Sequence, residues 1–519
     1  MKKALALLFA LCLAVGLLTG CGGGGGNKGG GEKPAAAKTL VIGDTTFTPD
    51  NLEKTINPHD EYSGWACIRY GVGETLVHYS DKMEVEPWLA TSWKNVDPLT
   101  WELTLKEGVK FHSGRAMDAA AVKECLEALV KNHDRAPKDL MIDSIEANGQ
   151  KLIIRTKEPR PAFLHYLGDP YSCIVDVAAG VKDGIVAGTG PYIAVDCKSG
   201  DHLTLKKNAN YWNGTPKLDE LTIRTISNGG TLSAALQSGE IDAAYGMAYE
   251  SYPLFQNDKF HFSQVATSRA FFLWMNYESP IASDPAVRKA IAMGVNKEGF
   301  VKTLLRGNGY PGVGAFPAGF AFGGDKVKTE SYDPEGAKKV LEAAGWVDTD
   351  GDGIREKDGK KLTVRWLTYP SRLELPLLAE SAQAELKKIG IDVEVNSTAS
   401  HNKIRKDPSG WDVYASAMVT APTGDPEYFF TSCCLDSSPV NNGHFHSDKL
   451  EALAKELSVE FDPAKRAQLA VDMQQALLDD NGYVFCSFLQ MSLISKQNVV
   501  GYDAHPCDYY QITAETDKK

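Results

Sequence analysis

The sequence predicts an α/β protein made of two lobes with a ligand cleft between them. Short β-type segments and helical segments interleave along the chain, and several follow the order strand–helix–strand that builds parallel sheet. The chain has 519 residues, which is long enough for two or three domains of about 100 to 200 residues each. A cleft between two such lobes is the default position for a bound ligand.

In the first half of the chain, alternating apolar and polar residues predict strands at 101–105, 151–156 and 203–206. A helix is predicted from 118 to 130, with Asp118 as its N-cap. Residues 234–239 are typical of a helix end stopped by glycine.

In the second half, two helices begin with Asp-Pro, which supplies an N-cap and a favourable first residue. They are predicted at 284–295 and 333–344, the second ending before Gly345. A strand at 362–367, a helix at 375–389 and a strand at 391–395 predict an α/β lobe. Asp462 and Pro463 open a last helix to about 478, before a strand at 483–488.

The N-terminus predicts export and lipid anchoring. Lys2 and Lys3 precede an apolar run that closes on Leu18-Thr19-Gly20-Cys21. This pattern is typical of a bacterial signal peptide, residues 1–20, cut before an acylated Cys21; the alternative is a simple signal with an incidental cysteine. The glycine-rich residues 21–38 are predicted to form a flexible tether. We therefore expect an extracytoplasmic protein that touches the membrane through its anchor alone.

The charge composition limits the classes of molecule that the protein is expected to bind. The formal net charge is −12, and no basic cluster interrupts it. An acidic body argues against nucleic acid and against electrostatic docking on anionic lipid, and it is compatible with cationic ligands.

Eight cysteines remain once Cys12 leaves with the signal and Cys21 carries lipid, and none forms a Cys-x-x-Cys pair. A structural zinc site is therefore not expected. Two alternatives stay open for the eight: some are disulfide-bonded, with a pairing that the sequence does not give, or they are isolated buried thiols. They are Cys67, Cys125, Cys173, Cys197, Cys433, Cys434, Cys486 and Cys507.

A series of motifs in fixed order resembles the family 5 solute-binding proteins of ABC importers, which serve oligopeptide, dipeptide and nickel transport. The resemblance runs from about residue 57 to the C-terminus. Its landmarks are residues 87–93, 101–114, 188–192, 208–212, 236–242, 284–291 and 424–426. We expect most of them to be structural, and the Gly188-Thr189-Gly190-Pro191 turn to need glycine torsions.

The resemblance implies a two-lobed periplasmic-binding-protein type II fold with an inserted subdomain in the first lobe. The expected bounds are 39–275 for the first lobe, about 75–190 for the inserted subdomain, 276–495 for the second lobe and 496–519 for a C-terminal return to the first. It also implies a monomeric carrier, not an enzyme, without a required cofactor. Such a carrier closes on its ligand and docks on ABC permease and ATPase subunits.

The cargo implied by the resemblance depends on one position. Peptide-carrying members hold the ligand's α-amino group with an aspartate three residues before the aspartate of Gly-Asp-Pro. Here Pro422 occupies that slot, three residues before Asp425, and an unpaired ammonium in a closed cleft is costly. Residues 369–377 and 490–496 resemble nickel-type members. We therefore expect nickel or a nickel chelate of a small carboxylate, histidine or an opine-like compound; the alternative is an oligopeptide or dipeptide.

Candidate ligand-binding residues follow from the same resemblance. Arg135 matches an arginine that binds chelate carboxylates in nickel-type members, which suits the paired donors of a guanidinium group. A second such arginine is replaced by Tyr171, with Arg269 and Arg372 as candidate substitutes; each arginine has a surface ion pair as its alternative role. Tyr62 and Trp65 fall in an early loop that lines the cleft in relatives, and core packing is the alternative for both.

Two metal sites are also candidates. His444 and His446 lie near the position of a histidine in nickel-type relatives, and strand-like alternation would place both on one face; two exposed histidines are the alternative. Asp348, Asp350 and Asp352 have the spacing of the start of a calcium loop, but Gly359 stands where a closing glutamate is expected.

Two other classes of function are alternatives to a carrier. The sequence lacks His-Glu-x-x-His and Gly-x-Ser-x-Gly. Ser400 and Lys403 fit the Ser-x-x-Lys motif of an extracellular hydrolase, without the accompanying Ser-Asp-Asn and Lys-Thr-Gly. A sensor or chaperone-like receptor without import is the other alternative.

Overall fold

The computed structural model describes residues 37–48, 55–60 and 63–519. The predicted signal peptide, the lipidation site Cys21, most of the tether and the candidate residue Tyr62 lie outside the described residues. Lys38–Lys519 forms one compact unit. Within the described residues, no helix combines the length and apolarity needed to span a membrane.

Strands and helices alternate through this unit, which confirms the predicted α/β class. The strands are β1 (Thr39–Asp44), β2 (Val77–Tyr79), β3 (Val85–Pro87), β4 (Ala90–Asp97), β5 (Thr100–Leu105), β6 (Ile142–Asn148), β7 (Lys151–Thr156), β8 (Tyr192–Lys198), β9 (His202–Lys207), β10 (Glu220–Thr225), β11 (Ala243–Tyr245), β12 (Phe260–Met275), β13 (Gly309–Pro311), β14 (Glu356–Lys357), β15 (Lys360–Lys361), β16 (Thr363–Thr368), β17 (Asp392–Ser397), β18 (Val413–Val419), β19 (Tyr483–Lys496), β20 (Val499–Val500) and β21 (Asp517–Lys518). The helices are α1 (Gly64–Arg69), α2 (Ala119–Asn132), α3 (Ala136–Leu140), α4 (Phe163–Tyr166), α5 (Gly229–Ser238), α6 (Pro285–Gly294), α7 (Lys297–Gly299), α8 (Pro334–Ala343), α9 (Glu374–Lys387), α10 (His401–Ile404), α11 (Glu427–Cys433), α12 (Asp448–Leu457) and α13 (Pro463–Asp479).

The predicted helix ends are confirmed by their cap geometry. The Asp118 carboxylate accepts from the backbone N–H of Ala121 at 2.9 Å and begins α2. Aspartates cap α6, α8 and α13 in the same way, each followed by proline. Gly239 ends α5 with a φ of 84°, the left-handed conformation that glycine adopts without steric cost.

One large sheet runs through the molecule in the strand order β17-β16-β18-β12-β19-β11-β1-β10-β9-β8, with β13 added at β19. Parallel pairs lie on both sides of a central antiparallel pair, β12 and β19. The register of this pair shifts between Ala266 and Ala270. A separate antiparallel sheet, β4-β5-β7-β6, belongs to the segment expected as the inserted subdomain.

Two large apolar cores pack on this sheet. One is built mainly from residues 270–488, and the other from residues 40–223 together with 491–512. Strand β19 contributes to both, because Phe485 and Phe488 lie in one core and Met491 and Leu493 in the other. Strand β12 contributes residues 270–275 to the first core, and its partly buried Val265 packs against the second. The central strand pair therefore links the two lobes.

The glycines of the Gly-Thr-Gly-Pro turn have a different role from the one expected. Neither Gly188 nor Gly190 has a positive φ, so the expected need for glycine torsions is wrong. A Cβ on Gly188 would lie 2.1 Å from the Val72 carbonyl oxygen, and one on Gly190 would lie 2.3 Å from that of Gly71. The turn needs glycine because two backbones approach too closely for any side chain.

Glu74 joins this turn to the tryptophan landmarks. Its buried carboxylate accepts four hydrogen bonds, from Trp88 Nε1 at 2.9 Å, Thr189 Oγ1 at 2.8 Å, Tyr211 Oη at 2.7 Å and Trp212 Nε1 at 2.9 Å. Burial raises the pKa of Glu74, and the four donors oppose that shift. Landmarks far apart in the sequence are therefore held by one carboxylate.

We expect Glu74→Gln to destabilise the fold by about 2 kcal/mol, because an amide leaves buried donors without an acceptor. Urea unfolding followed by tryptophan fluorescence measures this free energy. The exposed Glu86→Gln is the matched control and should stay within about 0.5 kcal/mol of wild type. Equal stabilities of the two variants would contradict the role assigned to Glu74.

Candidate ligand-binding cleft

The two lobes meet along a cleft closed by direct contacts. Arg160 of the first lobe donates to the Glu427 carboxylate of α11 at 2.6 Å, and both side chains are buried. The ring of His165 is 2.7 Å from the Thr423 carbonyl oxygen. Gly424, with a φ of 75°, comes so close to the Met83 backbone that a Cβ would lie 2.1 Å from its oxygen. The Gly-Asp-Pro segment is thus part of the contact between lobes.

Arg269 and Arg372 lie together where the central strand pair crosses the cleft. Arg269 lies within the register shift in β12, and Arg372 lies in the loop after β16. Burial lowers the pKa of Arg269, and the nearby positive charge of Arg372 lowers it further. Within the described chain, neither guanidinium has a carboxylate at ion-pair distance. The structure therefore brings together a half-buried and an exposed member of the predicted arginines, and their nearest described acidic neighbours, Asp508 and Glu374, lie beyond ion-pair distance of Arg269.

Trp65 lies beside a third arginine that the sequence did not indicate. The Arg69 guanidinium carbon is 4.4 Å from the Trp65 ring centroid and 4.7 Å from that of Tyr245. Arg69 pairs with Asp508 at 2.6 Å, and the Tyr245 hydroxyl donates to the same carboxylate at 3.0 Å. Asp508 therefore neutralises Arg69 inside the protein. Trp65, Arg69 and Tyr245 together form a fixed wall of the cleft.

Arg135 and Tyr171, the two residues predicted from the nickel-type arginine positions, are adjacent. The Arg135 guanidinium lies 3.0 Å from Asp139 and 3.6 Å from Asp169, and 5.3 Å from the Tyr171 ring centroid. Tyr428 of α11 lies on the same guanidinium at 5.7 Å. Arg135 therefore touches both lobes, but it already has two acidic neighbours.

A cavity of about 400 Å³ opens at this place. Its lining combines charged and aromatic side chains from both lobes. These are Arg135, Lys138, Asp139, Met141, Arg160, Tyr166, Glu427, Tyr428, Thr431 and Ser432.

His444 and His446 are exposed and have separate acidic partners. His444 Nδ1 lies 3.6 Å from Glu278, whereas His446 Nδ1 lies 3.0 Å from Asp436. Asp436 raises the pKa of His446, and Asp448 contributes a smaller increase. The structure shows no contact between these histidines and the arginines of the cleft, as far as the chain is described, so direct metal ligation by them stays a prediction.

The acidic loop is joined by a fourth carboxylate, that of Glu356, which follows it in the sequence. Oxygens of Asp348, Asp350, Asp352 and Glu356 lie within 4.8 Å of one another. Glu356 thus lies where it could supply the closing carboxylate that Gly359 lacks. The Lys361 ammonium lies against Asp352 and is 3.4 Å from Asp350. The Lys361 ammonium thus already offsets part of the negative charge of these carboxylates. Calcium binding by the loop stays a prediction.

Comparison with known proteins identifies the group to which the chain is related. The family model described as bacterial extracellular solute-binding proteins, family 5, matches residues 84–439. The chain belongs to this family. The fold prediction is confirmed as well, because solved structures with high similarity are two-lobed binding proteins of the same family.

Two relatives show the range of ligands in the family. The nickel-binding protein NikA of Staphylococcus aureus is 26% identical over 520 residues, covering 99% of each chain. Its crystal structure in complex with Ni(L-His)2 has a TM-score of 0.75 and 25% identity, and covers 93% of this chain and 100% of that one. The oligopeptide-binding protein AppA of Bacillus subtilis is 27% identical over 546 residues, covering 98% of each chain.

We expect Asp169 to make stability depend on pH. Burial raises its pKa to about 6, against the attraction of Arg135. A carboxyl with a raised folded pKa stabilises the fold fully below its unfolded pKa and loses that contribution as pH rises through about 6. The advantage of wild type over Asp169→Asn should therefore fall by about 2 to 3 kcal/mol between pH 4 and pH 7.

Urea unfolding of both proteins at several pH values measures this difference. The exposed Asp258→Asn variant is the control, and its difference from wild type should stay constant. A constant difference for Asp169→Asn would contradict the burial effect.

Proposed function

We propose that this protein is the substrate-binding subunit of an ABC importer and that it captures nickel as a complex with a small carboxylate-bearing chelator. Histidine, small carboxylates and opine-like compounds belong to this class. The loaded protein delivers its cargo to the permease and ATPase subunits outside the cytoplasm, attached to the membrane through the lipid on Cys21.

The observation that supports a carboxylate-bearing cargo is the proximity of Arg269 and Arg372. Two guanidinium groups repel each other, and burial of Arg269 strengthens that repulsion because the surrounding dielectric is low. An anionic ligand removes the repulsion, and a carboxylate matches the paired donors of arginine. A metal chelate with exposed carboxylates satisfies both arginines.

The described acidic groups near the peptide amine position are already engaged. Pro422 carries no charge, and Asp425 forms two hydrogen bonds with buried Arg466, at 2.7 and 2.8 Å. The Asp508 carboxylate pairs with Arg69. A peptide ammonium would therefore compete with existing ion pairs, which disfavours a peptide and supports a ligand whose amine binds metal.

Glu374 favours the alternative, a peptide carrier. This carboxylate is 7% exposed, lies near enough to Arg269 to affect its pKa and accepts a hydrogen bond from Tyr249. Among the described acidic groups of the cleft, it has the fewest partners. A peptide would then place its carboxylate on the arginines and its ammonium on Glu374.

Calorimetry on metal-stripped protein distinguishes the two cargoes. The titrants are nickel alone, nickel with excess histidine, histidine alone, and a pool of di- and tripeptides. We expect strong heat with nickel–histidine and none with histidine alone or with the peptide pool. Strong binding of peptides without binding of any nickel species would refute the metal cargo and leave the peptide carrier.

We expect Arg269→Ala to weaken binding of nickel–histidine about 10- to 100-fold, because a charged hydrogen bond is worth about 1.5 to 3 kcal/mol. Arg269→Lys keeps the charge but loses the paired donor geometry, so its affinity should lie between those of wild type and Arg269→Ala. Calorimetry gives the affinities, and thermal unfolding checks that the variants fold.

Arg224 supplies the matched control, since it pairs with Glu240 on the surface of β10. Arg224→Ala should bind like wild type. Equal affinities of Arg269→Ala and Arg224→Ala would show that the arginine pair does not contact the ligand.

A further inference from the structure

Two buried cysteines lie against each other inside the first lobe. Cys67 is in α1 and is 0% exposed, and Cys173, 1% exposed, follows the turn Pro170–Ser172. Both are free thiols in the structure, and the two groups interact electrostatically. Both sulfurs border the same point: a Cβ on Gly73 would lie 2.6 Å from Cys67 Sγ and 3.4 Å from Cys173 Sγ. The two side chains share one small space in the core.

The backbones that carry the two cysteines are also fixed to each other. A Cβ on Gly64, one turn before Cys67, would lie 2.5 Å from the Pro170 carbonyl oxygen. Beyond Cys173, the Ile174 N–H donates to the Glu74 carbonyl oxygen at 2.8 Å. The segments are thus held together on both sides of the sulfurs, as a disulfide with its short reach requires.

We propose that Cys67 and Cys173 form a disulfide bond in the exported protein. Members of this family are extracellular, and extracytoplasmic compartments allow disulfides to form and persist. The bond ties α1, which carries Trp65 and Arg69, to the segment of Asp169 and Tyr171. It therefore fixes two walls of the ligand cleft relative to each other, whichever cargo the cleft accepts.

The oxidant is the disulfide of an extracytoplasmic thiol–disulfide oxidoreductase. One cysteine thiolate attacks that disulfide and forms a mixed disulfide, and the second cysteine thiolate displaces the oxidoreductase thiol. The protein loses two protons and two electrons, and the oxidoreductase leaves as a dithiol. Because both sulfurs are buried in the folded lobe, the bond forms before folding is complete.

A third thiol defines the competing pairing. Cys125 Sγ lies 3.8 Å from the Cys173 carbonyl oxygen and 3.7 Å from His59 Nε2. Cys125 is 1% exposed; its hydrogen-bond contacts are to backbone groups and to His59, although it also interacts electrostatically with Cys67 and Cys173. We therefore assign Cys125 as the free thiol of the three.

Peptide mapping of the full chain, exported by bacterial cells and purified without reductant, tests the pairing. Free thiols are alkylated in denaturant before digestion and mass spectrometry. We expect the peptides of Cys67 and Cys173 to be linked and the Cys125 peptide to be alkylated. Alkylation of both Cys67 and Cys173, or a link from either one to Cys125, would overturn the proposal.

Thermal unfolding gives a second test. Protein refolded after complete reduction should unfold about 4 °C below the oxidised protein, because the bond closes a long loop. The double variant Cys67→Ser and Cys173→Ser should lose this dependence on reduction, whereas Cys125→Ser should keep it. A dependence that persists in the double variant would overturn the proposal even if that variant is less stable.

Discussion

The antiparallel pairing of β12 with β19 is the constraint on which the rest of the molecule depends. These two strands lie at the middle of the large sheet and contribute side chains to both major cores. Their register shifts between Ala266 and Ala270, and the extra residues there change the local twist and direction of the strand. The lobes therefore share one continuous sheet whose irregular point lies beside the cleft.

This position explains why the cleft side chains come from distant parts of the sequence. Arg269 lies within the irregular segment, Arg372 lies in the loop after β16, and Asp508 comes from the chain that returns to the first lobe after β19. Motion of one lobe about the shared strands would move Arg372 and Tyr428 relative to Trp65 and leave each core intact. Ligand-dependent closure then needs only a difference in affinity between the open and closed arrangements.

Local sequence patterns predicted the elements whose signals are local. The capped helices α2, α6, α8 and α13 begin where Asp118 and the Asp-Pro pairs indicated. The central strand pair was harder to predict: β12 was missed, and β19 was expected to end at 488 but reaches Lys496. Its second half contains Gln490, Ser492 and Ser495, which interrupt the apolar pattern, and pairing with β12 compensates for the loss. Likewise, nothing local indicates that Arg69 and Asp508 meet.

Counterions explain why some predicted arginines are better ligand candidates than others. An arginine surrounded by carboxylates must break those ion pairs to bind a ligand carboxylate, so the gain in free energy is small. Arg69 and Arg135 are of this kind, since Asp508, Asp139 and Asp169 already hold them. Among the described residues, Arg269 and Arg372 have no carboxylate at ion-pair distance, and Asp508 and Glu374 offset their mutual repulsion only from farther away. The sequence identifies arginines, but only the fold shows which of the described ones have a carboxylate at ion-pair distance, and the proposed position of the carboxylate-bearing cargo rests on this difference.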